Sequence, residues 1–264
     1  MSTTDHAKAI ASLLKNLRGS YEVPEPADRT PLEEFVYSFF LWDASASKAE
    51  AAYKRVVNSM VDFNELRVTR PPELITLLGK NYPKVEERAE RLRASLNDLY
   101  TREFAVTLDP CVAMSKRDAR KYLEGVHGCP QFVWARVLLM RMEGHALPVD
   151  DRLNYRLIEA GVIDEESDCA KTAGLLERHI KADDALASHG LMLAWSEDPA
   201  TEPKRIKPKP KPEIRVEFKP EPKPEPVKPA RPAAAKDAPR DTPKAPAKKA
   251  AAGTKPKARK PAKP

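Results

Sequence analysis

The residues best placed for chemistry lie where His127-Gly128-Cys129-Pro130 interrupts two stretches with helical spacing of apolar residues. A turn at this point leaves backbone N–H groups at a helix N-terminus, where they can bind a phosphate, and glycine lets that phosphate approach closely. The alternative is an ordinary helical hairpin inside a protein core. A pair of carboxylates then opens the next helix and could cap it.

Local sequence signals predict the helices that position this stretch. Ser115 is a good N-cap for the first helix, and Pro130 fits the first turn of the second, where its missing N–H costs nothing. The second helix is apolar on nearly every side except at Arg136 and Arg141, and such a helix is normally buried. We therefore expect a helical hairpin over about 116–143.

The residues that match a known pattern without a gap are Val126-x-Gly128-Cys129-Pro130, an apolar helix, and Pro148-Val149-Asp150. This arrangement resembles the helix-hairpin-helix and aspartate signature of the endonuclease III-like DNA glycosylases, the HhH-GPD superfamily. A looser match extends upstream, so that the resemblance covers most of residues 20–195. It implies an all-α, two-lobed HhH-GPD domain with a DNA cleft between the lobes, and with the hairpin and Asp150 at its mouth.

The resemblance also implies roles for individual residues. Asp150 falls on the family's catalytic aspartate, which stabilises positive charge developing on the sugar or helps direct water to it. Capping of the following helix is the alternative role, and the two roles do not exclude each other in this family. The candidate DNA contacts in and beside the turn are His127, Gly128, Cys129 and Gln131, with a solvated turn residue as the alternative for His127.

Two departures from the family pattern bear on the chemistry. Phe132 stands where bifunctional members have the lysine that forms a Schiff base, and a phenyl ring cannot be an amine nucleophile. We therefore expect no lyase step. The family's plug segment is matched by a run around Trp42 and Asp43 that has no glutamine. Trp42 is expected to fill core, with stacking on a base as the alternative, and Asp43 would face anionic DNA. Because an extruded base leaves a gap that must be filled, this departure weakens the case for base flipping.

Cysteine usage predicts that no cofactor is bound. Cys111, Cys129 and Cys169 have neither metal-ligand nor redox spacing. Many relatives of endonuclease III hold an iron–sulfur cluster on four closely spaced cysteines, and only Cys169 lies in the matching region. The histidines form no recognisable metal set. We expect no iron–sulfur cluster, no other cofactor and no metal.

The last quarter of the chain has a different composition. Residues 200–264 hold 20 Lys and Arg against 7 Asp and Glu, whereas residues 1–199 hold 26 against 32. This Lys/Pro/Ala-rich tail is poor in apolar residues, so we expect it to be disordered. It is either a sequence-independent nucleic-acid contact or a soluble spacer. Its candidate DNA contacts are Lys228, Lys248, Lys249, Lys255, Lys257, Arg259 and Lys260.

These features predict an N-terminal helix (1–19), an HhH-GPD-like domain (20–199) and the tail (200–264). The predicted function is DNA binding of the base-excision-repair class, with Asp150 supporting a monofunctional N-glycosylase. One alternative is a degenerate glycosylase that binds DNA or a partner protein without catalysis, and another is a chromatin-like packing protein that depends on its tail. We expect a cytoplasmic monomer, nucleoid-associated in a bacterium. We expect no membrane segment, because the longest apolar run, near residues 39–42, is too short.

Overall fold

The described part of the chain folds into helices only. The computed structural model describes residues 3–199, and within this range there are twelve helices and no strand. The helices are α1 (Thr3–Ser20), α2 (Pro31–Leu41), α3 (Ala46–Ser59), α4 (Phe63–Val68), α5 (Pro71–Leu78), α6 (Val85–Glu103), α7 (Asp109–Val112), α8 (Lys116–Glu124), α9 (Gln131–Arg141), α10 (Asp151–Glu159), α11 (Cys169–His179) and α12 (Ala182–Glu197). The all-α prediction is confirmed for these residues, while the predicted tail lies outside them. None of these helices is both long and apolar enough to cross a bilayer.

Side-chain caps set the starts of several helices. Thr30 accepts a hydrogen bond from Glu33 N, and its own N–H donates to the Glu33 carboxylate, which forms a capping box for α2. Ser115 accepts a hydrogen bond from Asp118 N at 3.2 Å, so the predicted cap of α8 is present. Each cap satisfies N–H groups that a helix start leaves unpaired.

Two separate hydrophobic cores divide the helices into two lobes. The first core gathers buried residues from α2 through α9, and the second gathers those of α1, α10, α11 and α12 together with Leu139 of α9. Helix α1 joins the second core through Ile10, Leu14 and Leu17. The architecture therefore agrees with the two helical lobes that the resemblance implies.

A buried ion cluster fixes the packing of α9 against α2. The two arginines that interrupt the apolar surface of α9 share one partner: Arg136 lies 2.6 Å and Arg141 3.2 Å from the carboxylate of Glu34 in α2. Glu34 is completely buried. Because a buried charge is costly unless it is paired, this cluster permits few other arrangements of the two helices.

Candidate active site

Asp150 lies at the start of α10, directly after the segment that connects α9 to α10. Its Oδ1 accepts a hydrogen bond from Leu153 N at 2.9 Å, and its Oδ2 accepts one from Asp43 N at 3.1 Å. The residue is only 5% exposed. Asp150 therefore has the capping role, and both of its carboxyl oxygens already hold backbone N–H groups.

A reciprocal contact ties Asp43 to the same helix start. Asp43 Oδ1 accepts a hydrogen bond from Asp151 N at 2.9 Å, so the two segments exchange two hydrogen bonds. Asp43 is buried and sits at φ +55°, a left-handed conformation that turns the chain sharply after α2. The expectation that Asp43 faces DNA is therefore wrong: the Asp151 N–H at the start of α10 holds its carboxylate inside the protein.

Lys84, the residue before α6, brings a positive charge to these carboxylates. Its Nζ is ion-paired with Asp43 and lies 2.9 Å from Asp151 Oδ2. The same ammonium lies 4.4 Å from the centroid of the Trp42 ring, a distance typical of a cation–π contact. Trp42 is buried and belongs to the first core, as the sequence predicts.

Burial changes the ionisation of Asp150. Removal from water, together with the nearby charge of Asp43, raises the pKa of the Asp150 carboxyl to about 7, against opposing contributions from Leu153 N–H, Arg152 and Asp43 N–H. The net direction is upward because desolvation of the carboxylate is the largest effect. Asp150 therefore keeps its proton to a higher pH than an exposed aspartate does.

A cavity of about 620 Å³ opens beside this cluster, within the usual size range of small-molecule sites. Asp151 lines it, whereas Asp150 does not belong to its lining. The charged residues of the lining are Lys84, Glu86, Glu87, Glu90, Arg91 and Asp151, so carboxylates outnumber cations by four to two. The cavity wall is therefore acidic on balance.

Phe132 lines the same cavity. Its ring packs edge-to-face against His189 of α12, with centroids 6.4 Å apart. His189 is buried, and desolvation lowers the pKa of its imidazole to about 3, so the ring is neutral and suits an apolar neighbour. The position thus holds a contact between α9 and α12.

The turn between α8 and α9 packs tightly on α6. Gly128 has φ +78°, and a Cβ there would lie 3.0 Å from Ala94 Cβ and 3.2 Å from Arg91 O. Only glycine combines this backbone conformation with so close an approach. Pro130 follows, and because proline has no N–H, it removes one donor from the turn.

The other predicted contacts occupy different surroundings. The His127 side chain is exposed, whereas Cys129 and Gln131 line the cavity. The Gln131 amide donates to Leu147 O at 3.2 Å and accepts from Val149 N at 3.4 Å, so it also positions the approach to α10. The predicted tail contacts all lie outside the residues that the structure describes.

The thiols near the cavity are protonated at neutral pH. Burial raises the pKa of Cys129, and burial together with the charge of Asp151 raises that of Cys169. Cys169 Sγ lies 3.3 Å from Asp151 Oδ1. Within the described part of the chain, no group of three or more His, Cys, Asp or Glu side chains is arranged to hold a metal ion.

Sequence reasoning missed Lys84 and Asp98. Lys84 is separated from Asp151 by 67 positions and Asp98 from His127 by 29, so no local spacing connects them. Lys84 does precede a helix start, but a lysine there carries no signal for an ion pair. The sequence predicts the long helix α6, but it does not predict that α6 packs beside the hairpin.

Neither a protein-family model nor a curated protein matches this sequence. The fold, in contrast, matches solved structures. A Clostridium acetobutylicum 8-oxoguanine glycosylase/lyase, in complex with DNA containing cytosine opposite 8-oxoG, gives a TM-score of 0.56 at 13% identity, covering 75% of this chain and 71% of that one. Endonuclease III trapped covalently on DNA gives 0.55 at 11% identity, covering 74% and 86%.

A thermostable thymine-DNA glycosylase gives a TM-score of 0.52 at 14% identity and covers 74% of this chain and 87% of its own. The three structures share one architecture with the helices described above. The likeness shows the fold: this chain has the helical fold of the endonuclease III-like DNA glycosylases.

Proposed function

We propose that this protein binds DNA and acts in base-excision repair as a monofunctional DNA N-glycosylase. The observation that carries the proposal is the cavity beside Asp150, whose lining includes residues of α6, the start of α9 and the start of α10. Its volume is ample for one extruded nucleobase, and Asp151 faces it directly. The same fold in proteins solved with DNA supports the assignment to this class.

The chemistry assigned to Asp150 is electrostatic and acid–base. When the bond between C1′ and the base nitrogen breaks, its electron pair goes to the base, and positive charge develops on the sugar. A nearby carboxylate stabilises that charge until water adds at C1′. Burial raises the pKa of Asp150 towards neutral pH, the range that suits acid–base work.

The proposed reaction ends at the abasic site. Phe132 offers no amine to form a Schiff base with C1′, so we expect strand cleavage only after alkali. Lys84, which lines the cavity, is ion-paired with both Asp43 and Asp151.

The deciding experiment is single-turnover incubation of the full-length protein with duplexes carrying uracil, oxidised pyrimidines, 8-oxoguanine mispairs or alkylated bases. Each reaction is analysed with and without alkali. We expect one base to be released, with cleavage after alkali only, and Asp150→Asn to reduce the rate by at least about 100-fold. Asp109→Asn, an exposed carboxylate on α7, is the matched control and should leave the rate unchanged.

A second candidate function is non-catalytic binding of DNA or of a partner protein. Two observations favour it: both oxygens of Asp150 are held by backbone N–H groups, and the cavity wall is acidic. In that case no duplex in the panel would lose a base, while salt-dependent DNA binding would persist. Strand cleavage without alkali would contradict both functions as stated.

A further inference from the structure

The hairpin turn is fastened to α6 through its carbonyl groups. Ser95 donates a hydrogen bond to His127 O at 3.0 Å, and Arg91 donates one to Gly128 O at 3.2 Å. Arg102 donates to carbonyl groups at the end of α8. All of these bonds use acceptors of the hairpin, and among the N–H groups of the turn Cys129 N–H donates within the turn to Val126 O at 3.1 Å.

Asp98 occupies the N–H side of the turn. Its Oδ2 accepts a hydrogen bond from His127 N at 2.9 Å and lies 2.6 Å from the Arg102 guanidinium. The neighbouring Gly128 N–H has no hydrogen-bond partner among residues 3–199. The Asp98 side chain is 23% exposed, so solvent and solutes reach it. A carboxylate in this place occupies a position that a phosphate oxygen would take.

We propose that Asp98 competes internally with a DNA phosphate for this turn, so that DNA engages the turn only by displacing the Asp98 carboxylate from His127 N–H. The proposal rests on the proposed DNA-binding function and adds a regulation of it. Arg102 holds the Asp98 charge in place, and that charge repels an approaching phosphate. The same pairing neutralises Arg102, which would otherwise attract the phosphate.

The remaining charges around the turn do not cancel this repulsion. Arg91 lies 2.9 Å from Glu87 and is therefore already paired. The turn itself, residues 126–130, holds no Lys, Arg, Asp or Glu, and its His127 ring is exposed. Asp98 and Arg102 are thus the charge pair that decides how the turn meets an anion.

Three variants of the full-length protein isolate the effect. Asp98→Asn keeps an oxygen that can accept from His127 N–H but removes the charge, and Asp98→Ala vacates the position. Asp109→Asn removes one charge from an exposed carboxylate that no described hydrogen bond ties to the hairpin, and it controls for net charge.

The readout separates the turn from the tail. The chain contains nine glycines; with ¹⁵N-glycine labelling, the Gly128 amide reports binding at the turn and the Gly253 amide reports binding by the tail. The probe is a short undamaged DNA duplex, titrated at several salt concentrations and followed by amide chemical shifts.

We expect the Gly128 shift to saturate at about tenfold lower duplex concentration in both Asp98 variants than in the unmodified protein, with the Gly253 titration unchanged. The slope of log affinity against log salt, taken from the Gly128 titration, should become steeper by about 0.9, because Arg102 becomes free to neutralise one phosphate. Asp109→Asn should reproduce neither effect.

Equal Gly128 titrations in the Asp98 variants and in Asp109→Asn would overturn the inference while leaving DNA binding intact. A Gly128 amide that does not respond to DNA in any of the proteins would overturn it too. If Gly253 also fails to respond in every protein, the proposed DNA-binding function fails with it.

Discussion

At the scale of single residues, Asp150 shows two opposing influences on one carboxyl group. Burial and the neighbouring Asp43 raise its pKa, while the N–H groups of Leu153 and Asp43 favour the ionised form. Burial prevails because it removes the carboxylate almost entirely from water. The folded protein therefore binds a proton at Asp150 more tightly than the unfolded chain does.

The stability of the protein should depend on pH because of this proton. Because the folded pKa is about 7 and the ordinary value is 3.8, the stabilising contribution of the bound proton is present at pH 4 and disappears as pH rises towards 7. Calorimetric Tm values of the unmodified protein and Asp150→Asn, measured from pH 4.5 to 8, should therefore shift in favour of the variant as pH rises. A Tm difference that does not change with pH would contradict the raised pKa.

Gly128 is the position where backbone conformation and packing both demand glycine. Gly128→Ala should lower the free energy of unfolding by about 2 kcal/mol, through strain at positive φ and collision with Ala94 and Arg91 O. Gly174→Ala is the control, since a Cβ there meets nothing within 4 Å in the middle of α11; it should stabilise the protein by about 0.5–1 kcal/mol. Urea unfolding measures both, and equal effects would refute the role given to Gly128.

At the scale of helices, the sequence predicted where helices start and which of them are buried, but it did not predict their long-range ion-pair partners. Ser115 and Pro130 lie at the starts of α8 and α9 because each carries a local signal that acts within one turn. The spacing of α9 also predicted its burial, but nothing local assigns Arg136 to Glu34, 102 positions away. Long-range ion pairs depend on how the helices pack against each other, and this packing cannot be predicted from a single sequence.

The Glu34 cluster should be among the most sensitive points of the first lobe. Glu34→Gln would leave Arg136 buried without a countercharge and should cost about 3–5 kcal/mol. Glu50→Gln removes a partly exposed partner of Arg29 and should cost less than about 1 kcal/mol. Chemical denaturation distinguishes the two, and a loss at Glu34 as small as that at Glu50 would show that the cluster is replaceable.

At the scale of the whole chain, charge is divided unevenly. The net positive charge belongs to residues 200–264, whereas residues 1–199 are acidic on balance. The cavity lining is acidic on balance, like residues 1–199 as a whole, and it includes Glu86, Glu87 and Glu90. DNA would therefore meet a repulsive body and an attractive tail, and the composition of the sequence was sufficient to predict this division.

Removing the tail tests this division directly. A chain ending at residue 199 should bind duplex DNA at least about tenfold more weakly at low salt than the full-length protein. The slope of log affinity against log salt should also become shallower, since fewer phosphates are neutralised. Fluorescence anisotropy with a labelled duplex from 50 to 300 mM salt measures both quantities, and an unchanged slope would assign DNA binding to the body instead.

The candidate site itself was predictable only in part. The position of Asp150 at a helix start followed from its neighbours in sequence, but its bond to Asp43 spans 107 positions. The inward orientation of Asp43 could not be predicted for the same reason, since its partner is distant in sequence. Asp43 was expected to be exposed because the residues around it resemble a DNA-facing segment. A carboxylate next to an N–H group at a helix start turns towards it, and here that group, Asp151 N–H, comes from the other lobe.

The exchange of hydrogen bonds between Asp43 and the start of α10 joins the two lobes. Separating the lobes would bring water to Asp150 and lower its pKa, so that at neutral pH the movement would be accompanied by loss of a proton. Acid should therefore hold the lobes together and alkali should loosen them. Fluorophores placed on α3 and α11 would reveal this as an inter-lobe distance that grows between pH 5 and pH 8 in the unmodified protein and stays constant in Asp150→Asn.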